Sequence, residues 1–378
     1  MTVGIDLDLS TVRALFDAEI EHGLQSGVQL SMSYRGEVVD IAAGDNGAGA
    51  AMTMATTVPW TCSSKPLGAI AFAAAWEAGT IDLDTPVVEV LPEFTGGGKE
   101  LVRVRDLLTH TTGIPEPMMS VDPSGANVTS WADIDALIWA AICAARTTTL
   151  PGAAMIYNPV TNWFVLDRVL NTLGGGSSGD SYRALFDQLG LSATLGADWA
   201  LPAEQRVTVV AAPDQQSGLE AMQLASALPL PGVGVWGSTR DLRVVGEVLL
   251  NRGAHNGGSV IGRASVEALT ATHWPGTPYR SVVDTDFAYG LGVMTQPLVL
   301  GRRCSARSYG HAGGNTSTLL VDPLFDLVVA VYWNGRLNDV KTVARRYALV
   351  RALYTDLGIQ RLPVTNGPAA AQEWEGER

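Results

Sequence analysis

The stretch that decides the fold is TCSSKPLGAIAFAAAWEAG, residues 61–79. It reads as an apolar helix whose opening turn holds Cys62, Lys65 and Pro66. Pro66 lacks the N–H that would reach back to the Cys62 carbonyl, so it is tolerated only if the helix starts close to residue 63. Cys62 is therefore expected at a helix N-terminus. A separation of three residues across a first turn brings a thiol and an amine within reach of each other, which is the spacing of a nucleophile and its base. The helix dipole and a nearby ammonium both favour the thiolate. A lysine serving as base must be brought down from roughly 10.4 to about 7 or 8, and burial in this apolar segment supplies the means. Ser63 and Ser64, at offsets of two and one from Lys65, point away from its face and are the weaker candidates.

Working outward, Val28 to Tyr34 and Glu37 to Ala43 are β-branched runs joined at Arg35-Gly36, which predicts a hairpin. Residues 10 to 24 place Val12, Leu15, Phe16 and Ile20 on one side, predicting an amphipathic helix with Ser10 as N-cap. Near the other end, three more strands are expected at Ser305 to Gly310, Ser317 to Val321 and Leu327 to Trp333. A last helix follows, with Val343, Tyr347, Val350, Tyr354 and Leu357 on its apolar face. Five antiparallel strands flanked by terminal helices make an α/β sandwich built from both chain ends, residues 1–65 and 287–362. Between them, 66–286 is read as an inserted, mostly helical domain with segments around 66–79, 103–109, 130–146, 160–173, 181–189, 239–250 and 264–270. Residues 363–378 are expected to form a disordered tail.

Bulk properties narrow the function. A chain of 378 residues with 47% hydrophobic and 17% charged residues has a globular composition. A formal charge of -13 opposes phosphate backbones and anionic lipid, so neither nucleic acid nor membrane is expected as a partner. The first thirty residues carry Asp6, Asp8, Asp17, Glu19 and Glu21 with no basic or apolar leader, and Pro66 to Trp76 is too short to span a bilayer. Three widely spaced cysteines, Cys62, Cys143 and Cys304, fit a reducing compartment, and a cytoplasmic location is expected. Five scattered histidines offer no metal-ligand spacing, so no metal or other cofactor is expected. GGGSSG at 174–179 has no lysine at the spacing of a phosphate loop.

The 61–79 segment resembles the S-x-x-K motif of the serine β-lactamase and penicillin-binding-protein-like family, its class C, esterase and transacylase branch, with Cys62 where that family places serine. Residues 79–113, GTIDLDTPVVEVLPEFTGGGKELVRVRDLLTHTTG, together with PGVGVWGSTRDL at 231–242 and YGLG at 289–292, extend the resemblance over roughly residues 10 to 360. PGAAMIYNP, 151–159, resembles the segment of the family's catalytic tyrosine, which assigns that role to Tyr157. The family often reads Y-x-N there. In this chain Pro159 takes the third place and Asn158 stands one residue early, as a candidate for substrate binding. GHAGG, 310–314, resembles the family's H-x-G or K-T-G strand. That implies that His311 and Gly313 face the substrate and that the amides of Cys62 and Gly314 form the oxyanion hole. Trp236 is a candidate for an acyl pocket. His110, in LLTHTTG, falls in a segment whose role in the family is structural.

The resemblance implies a β-lactamase/transpeptidase-like fold and acyl-transfer chemistry. A thiol attacks carbonyls readily, and the expected reaction takes an acyl group from a thioester or ester donor through Cys62 to an amine or alcohol. Acyl-coenzyme A or an acyl carrier protein is the expected donor. An esterase or amidase of the same fold is the alternative. A catalytically degenerate binding homologue is the second.

Overall fold

The computed structural model describes residues 7–117, 130–198, 200–211, 216–276, 287–295 and 297–359. The expected tail at 363–378, and most of the loops at 115–130 and 274–286, lie outside them. Twelve helices run through the described residues: α1 (Ser10–Glu21), α2 (Lys65–Glu77), α3 (Val87–Val90), α4 (Val104–Leu108), α5 (Trp131–Ala144), α6 (Thr161–Gly174), α7 (Asp180–Leu189), α8 (Gln216–Ala227), α9 (Thr239–Leu250), α10 (Arg263–Thr270), α11 (Pro297–Leu300) and α12 (Asp339–Asp356). The strands are β1 (Gly27–Tyr34), β2 (Glu37–Gly44), β3 (Val58–Pro59), β4 (Thr194–Leu195), β5 (Val210–Ala211), β6 (Val235–Gly237), β7 (Ala254–His255), β8 (Gly258–Ser259), β9 (Tyr309–Gly313), β10 (Ser317–Asp322), β11 (Leu327–Trp333) and β12 (Gly335–Arg336).

The main sheet has five strands in the order β2-β1-β11-β10-β9, every neighbouring pair antiparallel. Both chain ends build it, because β1 pairs with β11 across most of the sequence, with Leu30 opposite Val331. The two faces follow from strand alternation. Val28, Leu30, Met32, Val329, Val331 and Trp333 point outward onto Phe16 of α1 and Leu349 and Leu353 of α12. Leu319, Val321, Val328 and Ala330 point inward, into the larger core shared with the helical layer.

On β1 the inward positions are polar, and they hold α9 in place. The Gln29 side-chain oxygen accepts from the Thr239 amide at 2.7 Å, and Arg243 Nε donates to Ser31 Oγ at 3.0 Å. Farther along α9, a Cβ added at Gly246 would lie 2.5 Å from Val328 Cγ1 and 2.9 Å from Leu319 Cδ1, so only glycine lets this helix lie flat on β10 and β11.

Two local expectations are corrected. Ser305 to Gly310 does not begin as a strand: Ser305 is drawn into a turn by Asp322, whose carboxylate accepts from the Ser305 amide at 2.8 Å and its hydroxyl at 2.5 Å, and β9 starts at Tyr309. Ser10 is the first residue of α1 rather than its cap. The orphan amides there go to Asp8 Oδ1 from Ser10 and to the Asp356 carboxylate from Thr11 and Val12, which also ties the two terminal helices together.

Candidate active site

The turn that carries Cys62 is stapled to the sheet edge. Residues Thr61–Ser64 form a 3-10 turn that runs straight into α2 at Lys65, with Pro66 in the first helical turn. Ser317 Oγ on β10 donates to the Trp60 carbonyl at 2.6 Å, and Ser63 Oγ donates to the His311 carbonyl on β9 at 3.1 Å. Ser64 Oγ closes back on the Thr61 carbonyl at 2.7 Å. Both serines are fully buried, and their hydroxyls are committed to holding the turn. Cys62 remains partly exposed. Thr61, just before it, has φ +46°. A β-branched residue in the left-handed region is an outlier of the kind that persists where the surroundings over-determine it, as at active sites.

Lys65 is completely buried. Its Nζ donates to the Pro159 carbonyl at 2.8 Å and the Gly232 carbonyl at 2.9 Å. The position where the family's asparagine is missing thus serves through its backbone oxygen. Two carbonyls engage two of the nitrogen's hydrogens. The remaining position is a third N–H in the ammonium or a lone pair in the amine, and the Cys62 thiol bears on that nitrogen. Loss of hydration brings the Lys65 amine down from its usual range, while Cys62 and the Glu116 carboxylate push it back up. The Tyr157 ring lies 5.7 Å from Nζ and the Trp163 ring 5.9 Å.

Tyr157 is the third member. Its hydroxyl is buried without a well-formed hydrogen bond. Burial first, then the neighbouring Cys62 sulfur, holds the phenol well above its ordinary range. It therefore stays protonated at neutral pH, a hydroxyl able both to donate and to accept. His110 supports it from behind: the rings are 4.6 Å apart, the His110 carbonyl accepts from the Ile156 amide at 2.8 Å, and the ring Nδ1 accepts from the Asn158 amide at 3.2 Å. Burial and the adjacent Lys65 hold the His110 imidazole well below its usual range, hence neutral.

The structure gives four of the residues expected at the substrate face partners within the protein. Asn158 does not face substrate. It is fully buried, its Oδ1 accepts from the Thr161 amide at 2.8 Å, and its Nδ2 is turned to the carbonyls of Ile114 and Pro115, so it caps α6. His311 is likewise buried with both ring nitrogens engaged, Nδ1 donating to the Ala312 carbonyl at 2.9 Å and Nε2 accepting from Tyr289 Oη at 2.9 Å. Gly313 has protein on its side-chain face: a Cβ there would stand 2.6 Å from both Ser317 Oγ and the Trp60 carbonyl and closer still to Thr61 Oγ1. Trp236 donates its Nε1–H to the Ser226 carbonyl at 2.7 Å. Its ring lines a cavity of about 490 Å³ with Pro59, Val207, Val209 and Ala227.

Gly314 lies where the oxyanion reading puts it in the chain, one residue past the end of β9, with φ +54°. No turn or loop bond of the described residues engages its amide or that of Cys62. The Met222 sulfur sits against it, 2.6 Å from where a Cβ would stand. Around Tyr157, an apolar cluster of Met155, Tyr289, Met294 and Val299 carries Trp274, Phe287 and Ala312 at its partly buried edge, while Cys62 packs against the larger core. Sequence reading missed Met222, Phe287 and Tyr289. Only the YGLG motif carried any signal for them.

Residues 12–353 match the Beta-lactamase family model. The chain belongs to the Beta-lactamase family. Penicillin-binding protein 4 of Amycolatopsis lactamdurans is 27% identical over 375 residues, covering 94% of this chain and 92% of that protein. The chain spans 23% of the length of another curated relative, N-acetylmuramyl-L-alanine amidase of Bacillus subtilis (strain 168), at 24% identity over 110 residues. Among solved structures, a family VIII carboxylesterase superposes with TM-score 0.73 at 21% identity, over 92% of this chain and 97% of that one. EstCE1, described as a hydrolase with promiscuous acyltransferase activity, gives TM-score 0.73 at 18% identity, over 91% and 97%. This Beta-lactamase family chain thus has the mixed α/β β-lactamase/transpeptidase-like fold, with its antiparallel five-stranded sheet, and is an enzyme of that superfamily. Among the described residues no group of three or more His, Cys, Asp or Glu side chains is placed to hold a metal ion, and no helix is long and apolar enough to cross a membrane.

Proposed function

We propose that this enzyme transfers an acyl group from a thioester or ester donor, through a covalent thioester on Cys62, to an amine or alcohol acceptor. The observation that carries the reading is one fully buried amine, Lys65 Nζ, held by the Pro159 and Gly232 carbonyls three residues after Cys62, whose thiol acts on its charge. Lys65 takes the thiol proton as Cys62 Sγ bonds to the donor's carbonyl carbon. The carbonyl oxygen becomes an oxyanion and draws on the amides of Cys62 and Gly314, the kind of stabilisation that is often the largest catalytic contribution. The leaving thiol or alcohol departs with the proton returned from Lys65, relayed by Tyr157. The acceptor then gives its proton to the same pair, attacks the thioester carbon, and releases Cys62 as the thiol.

The apolar edge formed by Phe287, Trp274, Ala312 and Tyr157 suits an uncharged, hydrophobic group on the substrate. Acyl-coenzyme A or an acyl carrier protein in a cytoplasmic setting is the donor this reading prefers, because thiolate exchange with a thioester is chemically near-symmetric. The named carboxylesterase neighbour favours a second reading, with water as the acceptor. The test follows release of p-nitrophenol from a short-chain ester with and without an added amine. Transfer predicts a burst of one equivalent, then a rate that rises with amine concentration and an amide product. Steady turnover that is indifferent to the amine supports the hydrolase.

A further inference from the structure

Glu116 is a loop residue with no place in any motif, yet it reaches the element that positions the base. Its Oε2 accepts from the Val160 amide at 2.9 Å and the Thr161 amide at 3.2 Å, and its Oε1 accepts from the Thr161 hydroxyl. Those amides directly follow Pro159, whose carbonyl accepts from Lys65 Nζ. The carboxylate therefore fixes the short run 159–161 on which Lys65 is hung. We propose that Glu116 is a positioning residue for the nucleophile pair: it holds the Pro159 carbonyl on Lys65 and supplies the negative charge that balances the ammonium formed when Cys62 gives up its proton. This rests on the Cys62 reading above.

The titratable groups facing the pair are Tyr157 before α6, His110 after α4, Tyr289, His311 on β9, and Glu116. Both histidines are held well below their usual range by burial, and both tyrosines well above theirs, so all four are neutral at pH 7. Among the described residues bearing on Lys65, Glu116 supplies the negative charge that does not come from Cys62 itself. Cys62 and Lys65 share protons, so the relevant step is conversion of the doubly protonated pair, thiol plus ammonium, to the pair that has lost one proton. A nearby carboxylate favours the doubly protonated, positively charged state. Removing it shifts that step to lower pH, whichever atom keeps the remaining proton. It also makes Lys65 a weaker base at the plateau.

The test compares the full-length protein with Glu116→Gln, reading kcat/KM against pH and, independently of any substrate, the rate at which iodoacetamide alkylates the peptide containing Cys62. The expected result is that both acid limbs move down by about half to one pH unit, less than for a fully buried pair because Glu116 is partly exposed. The plateau kcat is expected to fall roughly tenfold through looser placement of the base. Glu116→Asp keeps the charge one methylene back. Its limbs are expected to stay near wild type while kcat falls. A folded Glu116→Gln protein with unshifted limbs overturns the proposal, and so does a Glu116→Asp protein identical to wild type in kcat should the glutamine variant not fold. Failure of the Cys62 reading looks different, with an acyl adduct that survives Cys62→Ala.

Discussion

Replacing Gly313 with alanine isolates how tightly the nucleophile turn is registered on the sheet. The added methyl would stand 2.6 Å from the Trp60 carbonyl and from Ser317 Oγ, and closer to Thr61 Oγ1. Real Cβ atoms keep at least 3.0 Å, so the Trp60 carbonyl alone must retreat by about 0.4 Å (3.0 minus 2.6), and ordinary contact at 3.4 Å needs about 0.8 Å. That carbonyl is backbone, two residues before Cys62, and Ser317 Oγ is bonded to it at 2.6 Å. The turn must therefore shift and carry the Cys62 sulfur from its place beside the sheet edge. Overpacking of this kind costs about 1–3 kcal/mol of stability, a few degrees of melting temperature for a chain this long. A misplacement approaching 1 Å at reacting atoms is worth up to about a hundredfold in rate. Thermal unfolding and kcat/KM on a p-nitrophenyl ester measure the two effects. A Gly313→Ala enzyme that melts normally and retains its full kcat/KM would show that the strand edge does not set the position of Cys62, and the reasoning would fall.

Other outcomes follow from the same contacts. Ser63→Ala removes a buried hydroxyl from the His311 carbonyl and is expected to cost about 1–3 kcal/mol of stability while still forming the acyl adduct; loss of the adduct in a folded protein would make Ser63 the nucleophile. Tyr289→Phe strips the donor from His311 Nε2, and the buried unpaired nitrogen should lower stability by about 1–3 kcal/mol in a denaturant titration, with kcat/KM changing far less than in Tyr157→Phe. Asn158→Ala removes the side chain that caps α6, with an expected cost of about 1 kcal/mol and an unchanged KM; a large rise in KM would restore it to the substrate face. Gly246→Val should destabilise the protein by overpacking α9 against Val328 and Leu319, by about 1–3 kcal/mol or more.

What the sequence disclosed and what it withheld divide along a physical line. The Arg35-Gly36 hairpin, β10 and β11 are legible because local pattern and pairing agree: strand-forming runs end in tight turns, and β10 and β11 are buried on both faces. Cys62 and Lys65 are legible because a proline fixes where the helix begins. Ser305 misled because a carboxylate seventeen residues away captured its amide and hydroxyl. His311 and Asn158 misled for a related reason: polar side chains near a cleft are as easily consumed by buried backbone groups as offered to substrate, and only the hydrogen-bond partners decide which. Trp236 gives no sign in sequence of which cavity its ring lines. Glu116 was silent because its work is done on amides forty-four and forty-five residues away.

The claim beneath the whole account is that one sulfur carries the acyl group. Intact mass measurement after exposure to an acyl thioester, followed by peptide mapping, addresses it in wild type and Cys62→Ala side by side. One added acyl mass, confined to the peptide holding Cys62, released by hydroxylamine and missing from the alanine variant, is the predicted result. An adduct that persists in the variant, or that maps to Ser63, Cys143 or Cys304, contradicts it.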